Sequence, residues 1–551
     1  MGVPGLFRTL ANDIPITSVK NRTFPYILFD FNCILYEALR CMPEELANHP
    51  TDFHVITQMV SYVSQMIRAM GPTRTVYLAI DGPVPMAKLV CQRSRRYKKV
   101  LEDRYKEKLR DRFGEHGDKP RSFDTTKLTP GTAFMDKLVS RMRTFLPLAV
   151  PNTCSIILSD HHVPGEGEHK LMHFLHTIPW GERVCIYGLD ADLIVLTLLS
   201  RRTHLYLARD PDPEKISAQT PGYERLTILS VDDCRTQVLT RMIGWSRDHG
   251  RVVRDFCLLS LFGGNDFIRA LPTTSIRSGG LDRLIDAYLK SVAEPDDSYL
   301  IEENGNAIDW RVVQRFVQCI AETEDEQMKA NQYKQFRGRF RTYPIPQNVQ
   351  EAFVQYEHMP FVHPQHPFYH HAQAASHAID VRKPFDVWSN RYGRVFDLPT
   401  NRGDVVKAYQ ASIRWCWLYY TQNTPPTWDF FYPYRAAPLA NWIRDVGWEF
   451  KTPSWIGSRV KPYEPLVQLA FVVPWKCSYL LPRCMQTLKS PVSIRIDYAL
   501  AEKSIYAEPI LPSENIETYE NIVRERFAAF DPLEKKRNRL FVRHQVLSKP
   551  S

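Results

Sequence analysis

The sequence has no pair of cysteines spaced to bind a metal or to suggest a disulfide framework. Its 11 cysteines stand singly along 551 residues, and no CxxC motif occurs. Cysteine-based zinc sites and disulfide-stapled folds both require such spacing, so these two classes are excluded. Because scattered free thiols are typical of a reducing compartment, we expect an intracellular protein, in the cytoplasm rather than the nucleus.

Several other functional segments are missing from the chain. No run of 18 apolar residues occurs, and residues 1–6 have no cationic stretch followed by an apolar one, which argues against a membrane span and a secretory signal. Neither the phosphate-binding loop of nucleotide hydrolases nor the GxSxG motif of serine hydrolases is found. We therefore expect no membrane contact, no nucleotide hydrolysis and no covalent catalysis.

What is present is a globular composition with a modest excess of basic residues. Hydrophobic residues make up 44% of the chain and charged residues 24%, which excludes a disordered chain. The net charge is +10, and the segment Lys88–Arg121 alone holds 13 basic and 6 acidic residues. This segment is either a solvated helix face or a surface for a polyanionic partner.

The first half of the chain repeats one pattern, a short apolar run that ends at or near an aspartate. Continuous apolar runs between helix-like stretches are typical of buried strands in a parallel sheet, and ligands bind where the carboxyl ends of such strands meet. A single aspartate there is most often a turn residue or helix cap, but four of them favour a site. The runs are Tyr26–Phe29, Val76–Ile80, Ser155–Leu158 and Val184–Tyr187, and the aspartates are Asp30, Asp81, Asp160 and Asp190.

The composition changes near residue 320. An acidic run at 322–327 precedes a proline-rich stretch in which six of the 17 histidines lie between His358 and His377. We interpret this stretch as a connector, although its histidines leave a metal site open. Eight of the 11 tryptophans follow, around a helix predicted over 405–420 that Pro425 and Pro426 bring to an end. The predicted units are an α/β domain (1–320), a connector (321–385) and a mainly helical, aromatic-rich region (386–551).

Acidic residues beside glycines form a second group of candidates. They include pairs two residues apart, which helix capping alone does not explain. Close carboxylates repel each other and raise one another's pKa unless cations lie between them. Carboxylate oxygens are ligands for hard cations, so Mg²⁺ is predicted, with Mn²⁺ as the alternative, and two ions would suit in-line phosphoryl displacement. The residues are Asp30, Asp81, Glu166, Glu168, Asp190, Asp192 and Asp266.

A basic helix face follows Asp81 closely. At about 100° per residue, positions i, i+4, i+7 and i+8 share one face of a helix. Arginine and lysine donors on one face form a good phosphate receptor, since arginine can bind two phosphate oxygens at once. The alternative is a solvated face with no ligand. The residues at this spacing are Lys88, Gln92, Arg95 and Arg96.

Taken together, these motifs resemble the Xrn family of 5′→3′ exoribonucleases. The matching stretches run through nearly the whole chain in the order of that family, and the combination of PGEGEHK, GLDADL and GNDF is the most specific part. The others include MGVPGLFRTL, YILFDFN, LAIDGPVPMAKLVCQRSRR, YYTQNTPPTWDFFYPYRAAP and LPRCMQTLKSPV. The resemblance implies a PIN-like/FEN-like α/β nuclease domain with a mostly parallel sheet, followed by a second conserved region that closes the active site.

The resemblance also implies roles for individual residues. The seven carboxylates would hold the metal ions, and Lys88, Gln92, Arg95 and Arg96 would form a pocket for a 5′-monophosphate. Tyr36 stands where the family usually has a base-stacking histidine, and tyrosine can stack too. Trp428 matches a second stacking position, in a loop where its ring could face a cleft, with core packing as the alternative. Trp415 and Trp417, which lie within the predicted helix, are expected in the core.

The expected activity is processive, Mg²⁺-dependent 5′→3′ degradation of single-stranded RNA that carries a 5′-monophosphate. We expect the protein to act as a monomer, and the sequence points to no protein partner. Two alternatives stay open: a flap nuclease of the related FEN group, and a catalytically silent RNA-binding scaffold. The seven intact carboxylates argue against the second.

Overall fold

The structure is a computed structural model. It describes residues 6–548 with gaps. Residues 1–5, part of the segment in which the sequence shows no secretory signal, lie outside the described part, as do two histidines of the histidine-rich stretch, His371 and His377. The gaps are 12–13, 16, 20–21, 44–45, 47–49, 116–122, 210–225, 243–246, 294–297, 371–378 and 450–456.

Eight strands form one central sheet. The five central strands, in the order β6-β5-β2-β3-β4, are parallel to one another, and antiparallel strands extend both edges, so that the full order is β1-β7-β6-β5-β2-β3-β4-β10. The two remaining strands, β8 and β9, pair with each other. The bounds are β1 (Thr17–Ser18), β2 (Phe24–Asp30), β3 (Pro72–Ala79), β4 (Ser155–Ser159), β5 (Val184–Tyr187), β6 (Leu205–Arg209), β7 (Thr227–Ser230), β8 (Arg495–Asp497), β9 (Glu508–Ile510) and β10 (Gln545–Leu547).

Helices cover the sheet and build the second half of the chain. None in the described ranges is both long and apolar enough to cross a membrane. Their bounds are α1 (Leu6–Ala11), α2 (Phe31–Arg40), α3 (Asp52–Met70), α4 (Met86–Phe113), α5 (Ala133–Phe145), α6 (Gly167–Leu175), α7 (Asp192–Leu199), α8 (Val231–Met242), α9 (His249–Leu261), α10 (Gly280–Ser291), α11 (Trp310–Arg337), α12 (Val349–His358), α13 (Phe385–Val395), α14 (Arg402–Gln422), α15 (Ala440–Val446), α16 (Pro465–Val472), α17 (Ile516–Arg526) and α18 (Pro532–Arg537).

The four predicted strands are confirmed, and their continuous apolar character has a clear cause. Successive side chains of a strand point to opposite faces of the sheet, and both faces are buried here. Leu28 packs in the core on one face, whereas Ile27 and Phe29 pack in the core on the other. A strand covered on both sides has no position left for a polar side chain, so the run stays apolar until it ends at Asp30.

The second region is mainly helical, as predicted. The helix expected over 405–420 is α14, which ends at Gln422 before Pro425 and Pro426, with Asn423 in the left-handed conformation as its C-cap. Trp415 and Trp417 are fully buried, which confirms their place in the core.

The predicted connector differs from the structure. A boundary at 320 falls inside α11, one continuous helix that begins at Trp310 and ends at Arg337. The carboxylate of Glu324, from the acidic run, is buried and accepts hydrogen bonds from the N–H groups of Ala440 and Asn441 at the start of α15. Glu324 thus caps a neighbouring helix instead of facing solvent, and α11 belongs to both the first region and the predicted connector.

The last described strand also crosses the predicted boundary. β10 lies far from the α/β domain in sequence, yet it pairs antiparallel with β4 at the edge of the central sheet. The segment 386–551 is therefore not a separate unit, because its final strand completes the sheet of the first.

Candidate active site

Two of the predicted carboxylates meet around a glycine. Asp30 ends β2, and Asp81 lies two residues beyond β3. The N–H of Gly167, the first residue of α6, donates a hydrogen bond of 2.6 Å to Oδ1 of Asp81. A side chain at this glycine would bring its Cβ within 2.8 Å of Oδ1 of Asp30 and 3.3 Å of Oδ1 of Asp81. The absence of a side chain at Gly167 is what lets the helix start approach both strand ends.

Three further carboxylates converge at the next pair of elements. Glu168 is in the first turn of α6, and Asp190 and Asp192 stand at the start of α7. Their ligand oxygens all lie within 4.8 Å of one another. The N–H of Asp192 also donates to Oδ1 of Asp190 at 3.3 Å. This separation suits the coordination of a hard divalent cation by oxygen ligands.

The pKa values of these carboxyl groups show that nearby positive charges do not fully compensate their negative charges. Burial, followed by the nearby Asp81 carboxylate, raises the pKa of Asp30 to about 7. Burial also raises the pKa of Glu168 and of Asp192 well above the usual range of a carboxyl group. Bound divalent cations would remove this penalty, since an opposite charge at short distance favours the ionised form. The donor set and its electrostatics therefore fit Mg²⁺ or Mn²⁺.

Lys88 joins the carboxylates to the basic face of α4. Its buried ammonium contacts Glu166 and lies 2.9 Å from Oδ2 of Asp266 and 3.9 Å from Oε1 of Glu168. Burial alone would raise the pKa of Asp266, but the charges of Lys88 and Arg95 outweigh it and hold the pKa at about 2. All seven predicted carboxylates thus belong to one linked group.

The other members of the basic face surround the same end of the site. Arg95 donates a 2.5 Å hydrogen bond to Oδ1 of Asp266. Burial lowers the pKa of Arg96 to about 10, and its Nη1 has no hydrogen-bond partner, as is true of Oε1 of Gln92. Buried polar atoms without partners are costly unless a ligand satisfies them. A phosphate group is a suitable ligand for a buried, unsatisfied guanidinium.

The two predicted stacking residues differ in their surroundings. Tyr36 lies on α2, and 52% of its surface is exposed. Desolvation raises the pKa of its hydroxyl, and the charge of Arg96 offsets part of this increase. Trp428 lies in a loop, as expected, but only 7% of its surface is exposed, so the expectation of a ring open to a cleft is wrong. Its backbone is bound to two distant segments, since its N–H donates to the carbonyl of Arg459 and its carbonyl accepts from the N–H of Met86 at the start of α4.

One strand-end aspartate does not join the site. Asp160 follows β4, but its Oδ2 accepts a 2.7 Å hydrogen bond from Arg143 and its Oδ1 accepts one from the N–H of His162. The expectation that four strands deliver four carboxylates to one site is therefore wrong at this strand. The guanidinium from α5 neutralises the charge of Asp160 locally.

Residues of α14 complete the site from the second region, and sequence reasoning missed them. The hydroxyl of Tyr419 donates to Oε1 of Glu166 at 2.9 Å, and the ring of Tyr419 stacks on His169 with 3.7 Å between centroids. The next residue, Tyr420, hydrogen-bonds Asp192 and accepts from Nδ2 of Asn265 at 3.0 Å. The available signal was the stretch YYTQNTPPTWDFFYPYRAAP, which begins with these two tyrosines and carries part of the family resemblance but assigned them no role.

Two family models match the chain. The model described as the XRN 5′-3′ exonuclease N-terminus matches residues 1–211, and the Xrn1 helical domain matches residues 246–367 and 387–503. The first contains β2 to β6, and the second contains α14. Both the predicted α/β nuclease domain and the helical second region are thereby confirmed.

Curated relatives agree with these matches. Human 5′-3′ exoribonuclease 1 is 26% identical over 560 residues, covering 89% of this chain and 31% of its own length. The Saccharomyces cerevisiae 5′-3′ exoribonuclease 1 is 29% identical over 333 residues, which cover 55% of this chain and 22% of the relative. Arabidopsis thaliana 5′-3′ exoribonuclease 2 is 24% identical over 615 residues, with 86% and 59% covered.

The chain spans about a third or less of the human and yeast relatives and less than two thirds of the plant relative. A solved structure of the catalytic core of Rad2 in complex with DNA covers 71% of this chain and 94% of that chain at 12% identity, with a TM-score of 0.30 that is too low to add to the family match. On the strength of the two family models and these relatives, the chain belongs to the Xrn family of 5′→3′ exonucleases.

Proposed function

We propose that this protein is a processive, divalent-metal-dependent 5′→3′ exoribonuclease that acts on single-stranded RNA with a 5′-monophosphate, with Mg²⁺ as the physiological ion. The observation that carries the proposal is the contact between the basic face and the carboxylates. Lys88 and Arg95 both reach Asp266, so a phosphate bound on this face would lie one side chain away from the acidic cluster. Cytoplasmic location and a monomeric state stay predictions.

The polarity of the reaction would follow from this arrangement. Nη1 of Arg96 is a buried donor that lacks a partner, and a terminal phosphate, with its charge of about −1.5 to −2 at neutral pH, would accept from it more strongly than an internal phosphodiester. A capped, triphosphorylated or hydroxyl end would fit the pocket less well. Binding the end in this pocket places the first phosphodiester near the carboxylates, so one nucleotide leaves in each cycle.

The carboxylates would hold the metal ions. Asp30, Asp81 and Asp190 stand at strand ends, where the sheet holds them rigidly, and the group Glu168, Asp190 and Asp192 is the best candidate for holding a cation. When bound, divalent cations supply charge that favours an attacking water and stabilises the leaving oxygen. Tyr419 keeps the carboxylate of Glu166 in one orientation through its hydroxyl, and outer partners of this kind hold ligands in productive geometry.

The experiment compares one RNA sequence with a 5′-monophosphate, triphosphate, cap or hydroxyl, in Mg²⁺ and in EDTA. We expect the monophosphate RNA to be degraded fastest and EDTA to stop the reaction. Arg95→Ala combined with Arg96→Ala should reduce the preference for monophosphate over hydroxyl about a hundredfold or more, because each charge-assisted contact contributes about 1.5–3 kcal/mol. Asp190→Asn should abolish cleavage of all four RNAs while RNA binding persists.

The matched control is Lys108→Ala, an exposed lysine on the same helix about 200° around from Lys88. It should behave as the wild type. Equal decay of all four RNAs by the wild type would contradict the phosphate pocket. Cleavage of branched DNA in preference to single-stranded RNA would support the flap nuclease, and RNA binding without any cleavage would support the silent scaffold.

A further inference from the structure

A second group of possible metal ligands lies outside the acidic cluster. Asp136 is on α5, and His161 and His162 are in the loop after β4. One ligand atom of each residue lies within 4.8 Å of the others. Both imidazoles are buried, with 0% and 2% of their surfaces exposed, and Asp136 is partly exposed.

The hydrogen bonds of His162 leave its Nε2 atom facing another hydrogen-bond acceptor. Its Nδ1 lies 2.9 Å from the carbonyl oxygen of Arg539, and a carbonyl can only accept, so Nδ1 carries the proton. In the neutral ring Nε2 is then an acceptor, yet it lies 3.0 Å from Oδ1 of Asp136, also an acceptor. Two acceptors at this distance repel each other unless a proton or a metal ion lies between them.

His161 brings a third ligand atom to the same point. Its Nε2 lies 3.2 Å from the oxygen of Asp136 that Nε2 of His162 approaches, and its buried Nδ1 has no hydrogen-bond partner. Hydrogen bonds alone would place two imidazole N–H donors on one carboxylate oxygen, whereas a metal ion would be held by both nitrogens and the oxygen at once.

The distances agree with this interpretation. Ligands about 2.0–2.2 Å from a tetrahedral Zn²⁺ are about 3.3 Å apart, close to the observed separations of 3.2 and 3.0 Å between the two histidines and Asp136. The bond from Nδ1 of His162 to a backbone carbonyl is the outer contact that metal-binding histidines commonly make. Two imidazoles and one carboxylate suit Zn²⁺ better than Mg²⁺.

We propose that Asp136, His161 and His162 form a structural Zn²⁺ site that fastens the segment 539–547 to the nuclease domain. Phe541 donates its N–H to the carbonyl of His162 at 3.0 Å, and its ring packs on the His162 imidazole with 4.7 Å between centroids. The strand β10 follows directly and pairs with β4. A metal ion at His162 would therefore stabilise the edge of the sheet, independently of the proposed exoribonuclease activity.

The test uses EDTA-treated full-length protein in excess Mg²⁺, which occupies the acidic cluster. Added Co²⁺ should bind at one equivalent with the visible absorption of a tetrahedral complex, and Zn²⁺ should displace it. Asp136→Asn and His162→Gln should weaken binding by more than the roughly 10- to 100-fold that loss of an outer partner costs. His249→Gln, an exposed histidine at the start of α9, is the matched control and should bind as the wild type does.

Hydrogen exchange of the wild-type protein keeps the proposal testable if the variants fail to fold. Zn²⁺ should slow exchange of the Phe541 amide and of β10. Absence of the Co²⁺ band, equal binding by Asp136→Asn and the wild type, or Zn²⁺ binding with no change at Phe541 would each overturn the site.

Discussion

At the scale of single residues, Lys88 lies among three carboxylates of the candidate site. Its ammonium is buried against Glu166 and Asp266, with Glu168 nearby. Burying charges is costly, and removing one partner of such a group leaves the others uncompensated. Lys88 therefore stabilises the carboxylates when no metal is bound, and the same ammonium faces the surface on which we propose that the 5′-phosphate binds.

The two aromatic candidates should respond differently to truncation. Tyr36→Ala removes an exposed ring and should change stability by less than about 0.5 kcal/mol, while RNA dissociates mid-strand more often, since stacking contributes about 1–3 kcal/mol per base. Trp428→Ala removes a buried ring and should cost about 3–5 kcal/mol of stability.

Denaturant unfolding and single-turnover decay measured on both variants distinguish these effects. If Tyr36→Ala leaves processivity unchanged, the stacking role of Tyr36 is wrong. If Trp428→Ala is as stable as the wild type, the ring is not part of the packed structure.

Asp255, which is not among the candidate site residues, leads us to expect that the stability of the protein depends on pH. It is fully buried on α9 and accepts hydrogen bonds from the Tyr288 hydroxyl and the Ile301 N–H. Burial raises its pKa to about 7, whereas in the unfolded chain the carboxyl loses its proton near pH 4. The stability that this group contributes is therefore fully present below about pH 4 and is lost as the pH rises through 7.

Between about pH 4 and pH 7 this one group should lower the free energy of unfolding by at most about 1.4 kcal/mol per pH unit. Asp255→Asn keeps the shape but cannot ionise, so its stability should fall less steeply over this interval. Urea unfolding of both proteins across the range measures the difference. Parallel curves would show that Asp255 titrates normally in the folded protein.

At the scale of elements, α14 connects the second region to the candidate active site. Its residues Tyr419 and Tyr420 direct their hydroxyls to Glu166, just before α6, and to Asp192, the first residue of α7. Asn265, the neighbour of Asp266, donates to Cys416 and Tyr420 on the same helix. The second region thus positions the carboxylates as well as covering them.

Tyr419→Phe tests this positioning. Loss of the hydroxyl frees Glu166 to rotate, and we expect about a 10-fold or greater fall in activity together with a shift to higher Mg²⁺ requirement, as with other outer partners of metal ligands. Tyr409→Phe is the control, because that hydroxyl on the same helix donates to the carbonyl of Arg269. Equal Mg²⁺ titrations for the two variants would contradict a role for Tyr419.

At the scale of the whole molecule, the two regions do not separate cleanly. The helix α11 crosses the predicted boundary, Glu324 caps α15, and β10 pairs with β4. Val84, just before α4, donates its N–H to the side chain of Gln468. The start of α4, which carries the basic face, is consequently held by the second half of the chain.

A fragment of residues 1–320 should therefore not form a functional active site. It lacks Tyr419, Tyr420 and β10, and it exposes the apolar surface that α14 and α15 cover. We expect the fragment to be inactive in Mg²⁺ and to unfold at a lower temperature than the full chain, as measured by circular dichroism and RNA decay. Full activity from this fragment would show that the second region is dispensable for catalysis.

The sequence by itself determined the local elements and the identity of the acidic and basic groups. The apolar runs of β2, β3, β4 and β5 could be recognised because both faces of a parallel sheet exclude polar side chains. Candidates at the strand ends followed from that topology, and the helical spacing placed Lys88, Gln92, Arg95 and Arg96 on one face. Such inferences depend on periodicities within a few residues, which a linear sequence displays directly.

Only the tertiary structure decided which side chains meet. Asp160 and Asp190 have the same local signature, yet Arg143 from α5 neutralises the first and the second joins the acidic cluster. Trp428 is buried and Tyr419 reaches Glu166 because of contacts between segments far apart in the chain. Partners of this kind depend on the packing of distant elements, so no pattern within one segment can reveal them.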